Sequence, residues 1–145
     1  MPALLLLSCS NSKRLRPGEP IAAIERYTGI FFQVFKKWRR EHPRSISPDL
    51  LIISGQFGLL TPETPIPYYD QRMTAARAAI LRSRIQDALK RQLLNHAYRH
   101  ILVNLGRDYL PALEGFTGLR GAAWASGSIG VRAGQLKTWL NEVAD

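Results

Sequence analysis

Cysteine is almost absent from this chain of 145 residues: Cys9 stands alone, so no intramolecular disulfide can staple the fold. No Cys/His cluster has zinc-ligand spacing either, which argues against a structural metal and for a reducing compartment, with the cytoplasm as the expected location. Histidine is scarce too. His42, His96 and His100 have no Cys or Asp partner nearby in sequence, so a catalytic triad finds no support. Long apolar runs are missing. The run Ala3 to Leu7 has no basic residue before it and gives way to the polar, basic stretch Ser8 to Arg16, so it reads as a buried strand rather than a signal peptide. Nothing approaches the roughly 20 apolar residues of a membrane span, and no membrane partner is expected.

Acidic residues are the remaining shortage, at 11 Asp and Glu against 20 Lys and Arg, for a formal net charge of +9. Residues 1 to 50 carry nine Lys/Arg and four Asp/Glu, residues 51 to 100 carry seven and three, and the rest carry four of each. The excess therefore lies in the first hundred residues, where it would concentrate polyanions such as nucleic acid or nucleotide at the surface. Simple solubility is the competing explanation. Apolar residues make up 46% and charged residues 21%, a composition that folds. The length suits a single domain over residues 1 to 145, large enough for a core of its own.

Ala3 to Leu7, Leu50 to Ile53 and His100 to Leu105 are short continuous apolar runs of the kind found in strands buried on both faces of a parallel sheet. Between the first two, Phe31, Val34, Phe35 and Trp38 recur at helical spacing, with Thr28 as the expected cap and Pro43 as the stop signal. A second helix is predicted from Thr74 to Tyr98, with Ala75, Ala79, Leu89, Leu93 and Ala97 inward and Arg77, Arg84 and Arg91 on the solvated side. A short helix near Tyr109 to Glu114, a weak strand around Gly121 to Trp124 and an amphipathic helix from Val131 to Val143 complete the chain. The expected fold is α/β: one three-layer domain with a mostly parallel sheet flanked by helices. Ligands of such folds sit beyond the C-terminal ends of the strands, which singles out the loops after the first two runs.

The first loop, Ser8, Cys9, Ser10, Asn11, Ser12 and Lys13, offers small side chains that let a ligand approach the backbone, and Lys13 and Arg14 can neutralise phosphate or carboxylate. It lacks the glycines and the Gly-Lys-Ser/Thr ending of a P-loop, so nucleoside triphosphate hydrolysis is disfavoured. Cys9 has the alternatives of nucleophile and small apolar side chain, and the second is preferred. The second loop holds Ser54, Gly55, Phe57 and Gly58, then Pro62, Pro65, Pro67, Tyr68, Tyr69 and Asp70. Its glycines permit tight turns, its aromatic rings suit a nucleobase, and Asp70 could accept a hydrogen bond from a base or ribose. The alternative reading is that Phe57 and Tyr68 plug the core beneath the loop. Lys36, Lys37, Arg39 and Arg40 form a basic cluster on the first helix, the expected phosphate-contacting residues for a nucleic acid.

The stretch Leu51 to Met73 resembles the signature of the YaaA family, a strand followed by Ser-Gly-x-Tyr-Gly-Leu-Leu, Pro, Ile, Pro-Tyr and a closing Met, with Phe57 in place of the usual Tyr. The chain is more similar still to small YaaA-like domains that begin with a strand and Ser-Cys-Ser-x-Ser-Lys. Those share a Tyr-x-Gly followed by Phe, here Tyr27, Gly29 and Phe32, and a Pro-Tyr-Asp ending, here Pro67, Tyr68, Tyr69 and Asp70. Their closing pattern corresponds to Gly127, Ile129, Gly130 and the segment Leu136 to Leu140. The resemblance implies a link to peroxide stress and DNA binding, or to enzymes that exchange or modify nucleobases in tRNA and DNA. Two functions are therefore expected as alternatives. One is a module binding nucleotide, nucleoside or nucleic acid in a crevice between the two loops. The other is an N-glycosidase or base-exchange enzyme in which Asp70 stabilises an oxocarbenium ion. Neither reading calls for a metal or cofactor.

Overall fold

The run of leucines in the first strand is explained by what lies on each side of it. In the computed structural model, which describes residues 2–15 and 19–144, strand β1 (Ala3–Ser8) is central in a five-stranded sheet. Arg16, the end of the basic stretch noted above, lies outside the described residues. Side chains alternate across a strand, so Leu5 and Leu7 enter one core while Leu4 and Leu6 enter another, and all four are fully buried. Each leucine so buried contributes on the order of 1.5–3 kcal/mol.

After β1 come the short strand β2 (Ile21–Ala22), one helical turn α1 (Ala23–Arg26) and helix α2 (Ile30–Glu41). Strand β3 (Asp49–Ser54) then lies parallel to β1, with Leu4 opposite Asp49 and Ser8 opposite Ile53. Strand β4 (Gly58–Leu60) folds back antiparallel on β3, and β5 (Pro65–Ile66) pairs with β2 outside the main sheet. Helix α3 (Ala75–Asn95) crosses to β6 (His100–Asn104), which is parallel to β1 on its other side. A 3-10 helix (Arg107–Leu113), strand β7 (Ala123–Trp124) parallel to β6, and helix α4 (Ile129–Val143) follow. The sheet order is β4-β3-β1-β6-β7. The three runs expected to be parallel strands are so, in a three-layer α/β arrangement. None of the helices among the described residues is long and apolar enough to cross a membrane.

One core joins Leu5, Leu7, Leu50, Ile52 and Leu102 to α2 (Phe32, Phe35, Trp38) and α4 (Leu136, Trp139, Leu140). The other joins Leu4, Leu6, Leu51, Ile53 and Val103 to α3 and the 3-10 helix. Three expectations need correction. Gly29, not Thr28, is the N-cap of α2, and no side chain caps it. The buried stripe of α3 is Ala78, Leu81, Ile85 and Leu89, at spacings of three and four, whereas Ala75, Ala79 and Ala97 are exposed; the helix ends at Asn95. Arg77 is not on a solvated face: its Nε donates to the Gly55 carbonyl at 2.8 Å, fastening α3 to the turn after β3.

Candidate functional site

Each of the three long parallel strands ends in a small polar side chain that is buried: Ser8 at 6%, Ser54 at 0% and Asn104 at 0% exposure. These ends share one edge of the sheet. There α2 leaves β1 toward one face and the 3-10 helix leaves β6 toward the other, so the edge between β1 and β6 is a topological switch point, where open α/β sheets form crevices.

On the β3 side the polar groups form a chain. Ser54 Oγ accepts the N–H groups of Gln56 and Phe57, both at 3.1 Å, which uses its lone pairs and shapes the turn. Its proton therefore goes to the Tyr69 hydroxyl at 2.9 Å, and the Tyr69 and Tyr27 hydroxyls share a hydrogen bond at 2.5 Å. Both tyrosines are buried, and desolvation pushes Tyr27 up to about 12, with the nearby Cys9 adding to the effect. Burial likewise holds Tyr69 and Tyr109 well above the ordinary tyrosine range. The phenols stay neutral and act as hydrogen-bonding groups. Phe57, half-buried, meets Tyr69 edge-on with centroids 5.1 Å apart.

The first loop is stitched to the entry of α2. Lys13 pairs with Tyr27 as an antiparallel bridge, Thr28 N–H donates to the Ser12 carbonyl at 3.0 Å, and Ser10 Oγ accepts from Gly29 N–H at 3.2 Å. A Cβ on Gly29 would lie 2.6 Å from Ser10 Cβ, so glycine is what lets the loop pack against the helix start. Buried Arg26 donates to the carbonyls of Arg14, Glu19 and Ile66, tying this loop to β5. Lys13 Nζ then sits 4.6 Å from the centre of the Tyr69 ring, joining the first loop to the second. Asn11 and Ser12 are exposed, Ser10 and Cys9 half-buried. The Cys9 thiol lies 3.0 Å from the Tyr109 hydroxyl.

Asp70 is exposed: in the extended segment Tyr69 turns inward and its neighbour outward. Gly55 is buried against the backbone of Arg72 and Met73, and Gly58, with φ of +79°, closes the turn into β4 beside Arg84. The basic cluster is elsewhere. Lys36 Nζ donates to the Ile24 carbonyl at 3.3 Å, while Lys37, Arg39 and Arg40 are exposed further along α2. A rise of 1.5 Å per residue sets Arg40 about 16 Å from Gly29. Arg39 instead borders a cavity of about 390 Å³, lined also by Asp49, Pro62, Glu63 and His96, at the opposite end of the sheet.

Sequence reasoning missed the β6 side of this edge. Arg132 Nη1 on α4 donates to Asn104 Oδ1 at 3.1 Å and to the Leu105 carbonyl at 3.2 Å, and its guanidinium lies 5.0 Å from the Phe31 ring of α2. Tyr109 and Gly106 complete that side, Gly106 N–H donating to Ser8 Oγ at 3.3 Å. The signal was present: Leu-Val-Asn at 102–104 repeats the pattern of an apolar run ending in a small polar residue.

Residues 4–142 match a protein family described only as of unknown function, DUF6884. The chain belongs to that family. No curated protein and no solved structure matches it.

Proposed function

We propose that the crevice at the C-terminal edge of the sheet binds a nucleotide or nucleoside, free or within a nucleic-acid strand. The observation that carries this reading is a cation set over an aromatic ring on each side: Lys13 over Tyr69 and Arg132 over Phe31. Among the described residues neither cation is paired with a carboxylate, and the first turns of α2 and α4 contain no acid. Such a site favours an anionic ligand with a flat apolar part, for which the half-buried Phe57 offers ring surface. The YaaA-like motifs point to the same class of ligand.

An N-glycosidase or base-exchange enzyme would need a carboxylate at the reacting sugar. Asp70 is exposed beside Tyr69, which favours binding over catalysis. The deciding experiment titrates the chain with the four ribonucleosides, their 5′-monophosphates and short single-stranded DNA and RNA. Binding weakened by Lys13→Gln but kept when Lys36, Lys37, Arg39 and Arg40 are all changed to Gln supports the crevice. Loss only in the quadruple variant moves the partner to the basic face of α2 and defeats the reading. Release of free base, abolished by Asp70→Asn, would replace it with the enzyme.

A further inference from the structure

The start of α2 is left open in a way that its surroundings do not balance. Gln33 is the first residue whose N–H finds a helical acceptor, the Gly29 carbonyl, and among the described residues no side chain serves the amides of Ile30, Phe31 and Phe32. Helix N-termini are partly positive and ordinarily attract acidic side chains, yet the first turn of α2 holds no acid and the guanidinium of Arg132 lies 5.0 Å from the ring of its Phe31. A cation at the positive end of a helix is repelled unless an anion joins them.

The way Arg132 is held points in the same direction. Its Nη1 is used on Asn104 and Leu105, so one arm of the fork is anchored to the end of β6, and the other donors have no partner among the described residues. Asn104 is fully buried and faces the α2 and α4 layer, as Leu102 two residues earlier does. Its Oδ1 meets Arg132, and its Nδ2 has no acceptor among the described residues. A buried carboxamide donor left unmatched on an anchored arginine, which itself lies over the ring of a first-turn residue of α2, is a set of donors in want of one acceptor-rich group.

We propose that Arg132, Asn104 and the first-turn amides of α2 form a phosphate subsite, so that the crevice takes a phosphorylated nucleotide in preference to a nucleoside or free base. This rests on the nucleotide reading of the crevice. It assigns Lys13 and the second loop to the remainder of the ligand, and it gives α4, through a single side chain, a part in recognition.

The test compares nucleosides, nucleoside 5′-monophosphates and inorganic phosphate by calorimetric titration of the full chain and of Arg132→Gln, Arg132→Lys and Asn104→Asp, each checked for a cooperative melt. The expected result is a monophosphate bound at least about tenfold tighter than its nucleoside, as charge-assisted contacts to a phosphate provide. Arg132→Gln should erase that preference and Arg132→Lys keep part of it. Asn104→Asp should abolish it while the chain stays folded, because the new carboxylate takes the anion's place beside Arg132. Inorganic phosphate alone binding the natural chain and not Asn104→Asp would support the subsite too. Nucleosides bound as tightly as monophosphates would overturn the subsite and leave the crevice reading standing. Phosphate preference unchanged in all three variants would place phosphate recognition elsewhere and overturn the proposal. No binding of any probe would overturn both.

Discussion

Replacing Tyr69 by Phe removes one oxygen from the centre of the buried hydroxyl chain and leaves almost everything else in place. The ring keeps its edge contacts with Phe57 and Tyr27 and its place beneath Lys13. What is lost is the acceptor for Ser54 and the hydrogen-bond partner of Tyr27, both at 0% exposure. A buried polar group left without its partner costs about 1–3 kcal/mol, and with some rotation of the Ser54 hydroxyl the sum should be about 2–3 kcal/mol. For a chain of this size that is a fall in Tm of roughly 5–10 °C. Urea denaturation gives the free energy directly. The double variant Tyr27→Phe with Tyr69→Phe should cost less than the two single changes added together, since it removes both ends of one bond. Additive effects, or a Tyr69→Phe loss below about 0.5 kcal/mol, would show that the hydroxyls are not coupled and that the second loop is held by packing alone.

Two other predictions follow from the same geometry. Tyr27 has a folded-state value of about 12 against an ordinary 10.0, so the unfolded chain releases its proton first; stability is intact below pH 10 and falls as the pH rises toward 12. Urea midpoints between pH 8 and 11.5 should show this loss, at up to about 1.4 kcal/mol per pH unit from Tyr27, and a Tyr27→Phe variant should be flatter. Gly55→Ala would set a Cβ 2.8 Å from the Met73 amide and should destabilise by about 1–3 kcal/mol, whereas Gly134→Ala, inside α4 with open space around it, should stabilise by about 0.5–1 kcal/mol. Thermal melts showing the reverse order would refute the contact.

The three main strands were legible because they are buried on both faces, and only then does a run such as Leu4 to Leu7 lose its alternation. Of the smaller strands, only the one expected around Gly121 to Trp124 was legible, and it forms at Ala123–Trp124. Gly58–Leu60 and Pro65–Ile66 are too short to show a period, and their pairing is fixed by partners distant in sequence. In α3 the periodicity was present but ambiguous, since the alanines at 75, 76, 78 and 79 fit several faces. Ile80 and Leu94 are exposed at 72% and 75%, so apolar character alone mislabels the stripe. Arg77 shares its spacing with Arg84 and Arg91, yet a carbonyl from another part of the chain decides where its guanidinium goes.

The site divides along the same line. Small polar residues following an apolar run could be recognised at Ser8 and Ser54, because a parallel sheet presents all its strand ends at one edge. In Pro67-Tyr68-Tyr69-Asp70 the residue types attract attention to the carboxylate, but one side chain of an extended pair must turn inward. Ser54, with its lone pairs taken by two backbone amides, needs an acceptor for its proton, and the Tyr69 hydroxyl beneath Lys13 provides one. The choice between Tyr69 and Asp70 is thus made by a serine fifteen residues earlier. Asn104 follows the same logic with a different outcome: its oxygen is answered by Arg132 from the next layer, its nitrogen is not, and a strand end that is satisfied only in part is where an added acceptor has most to contribute.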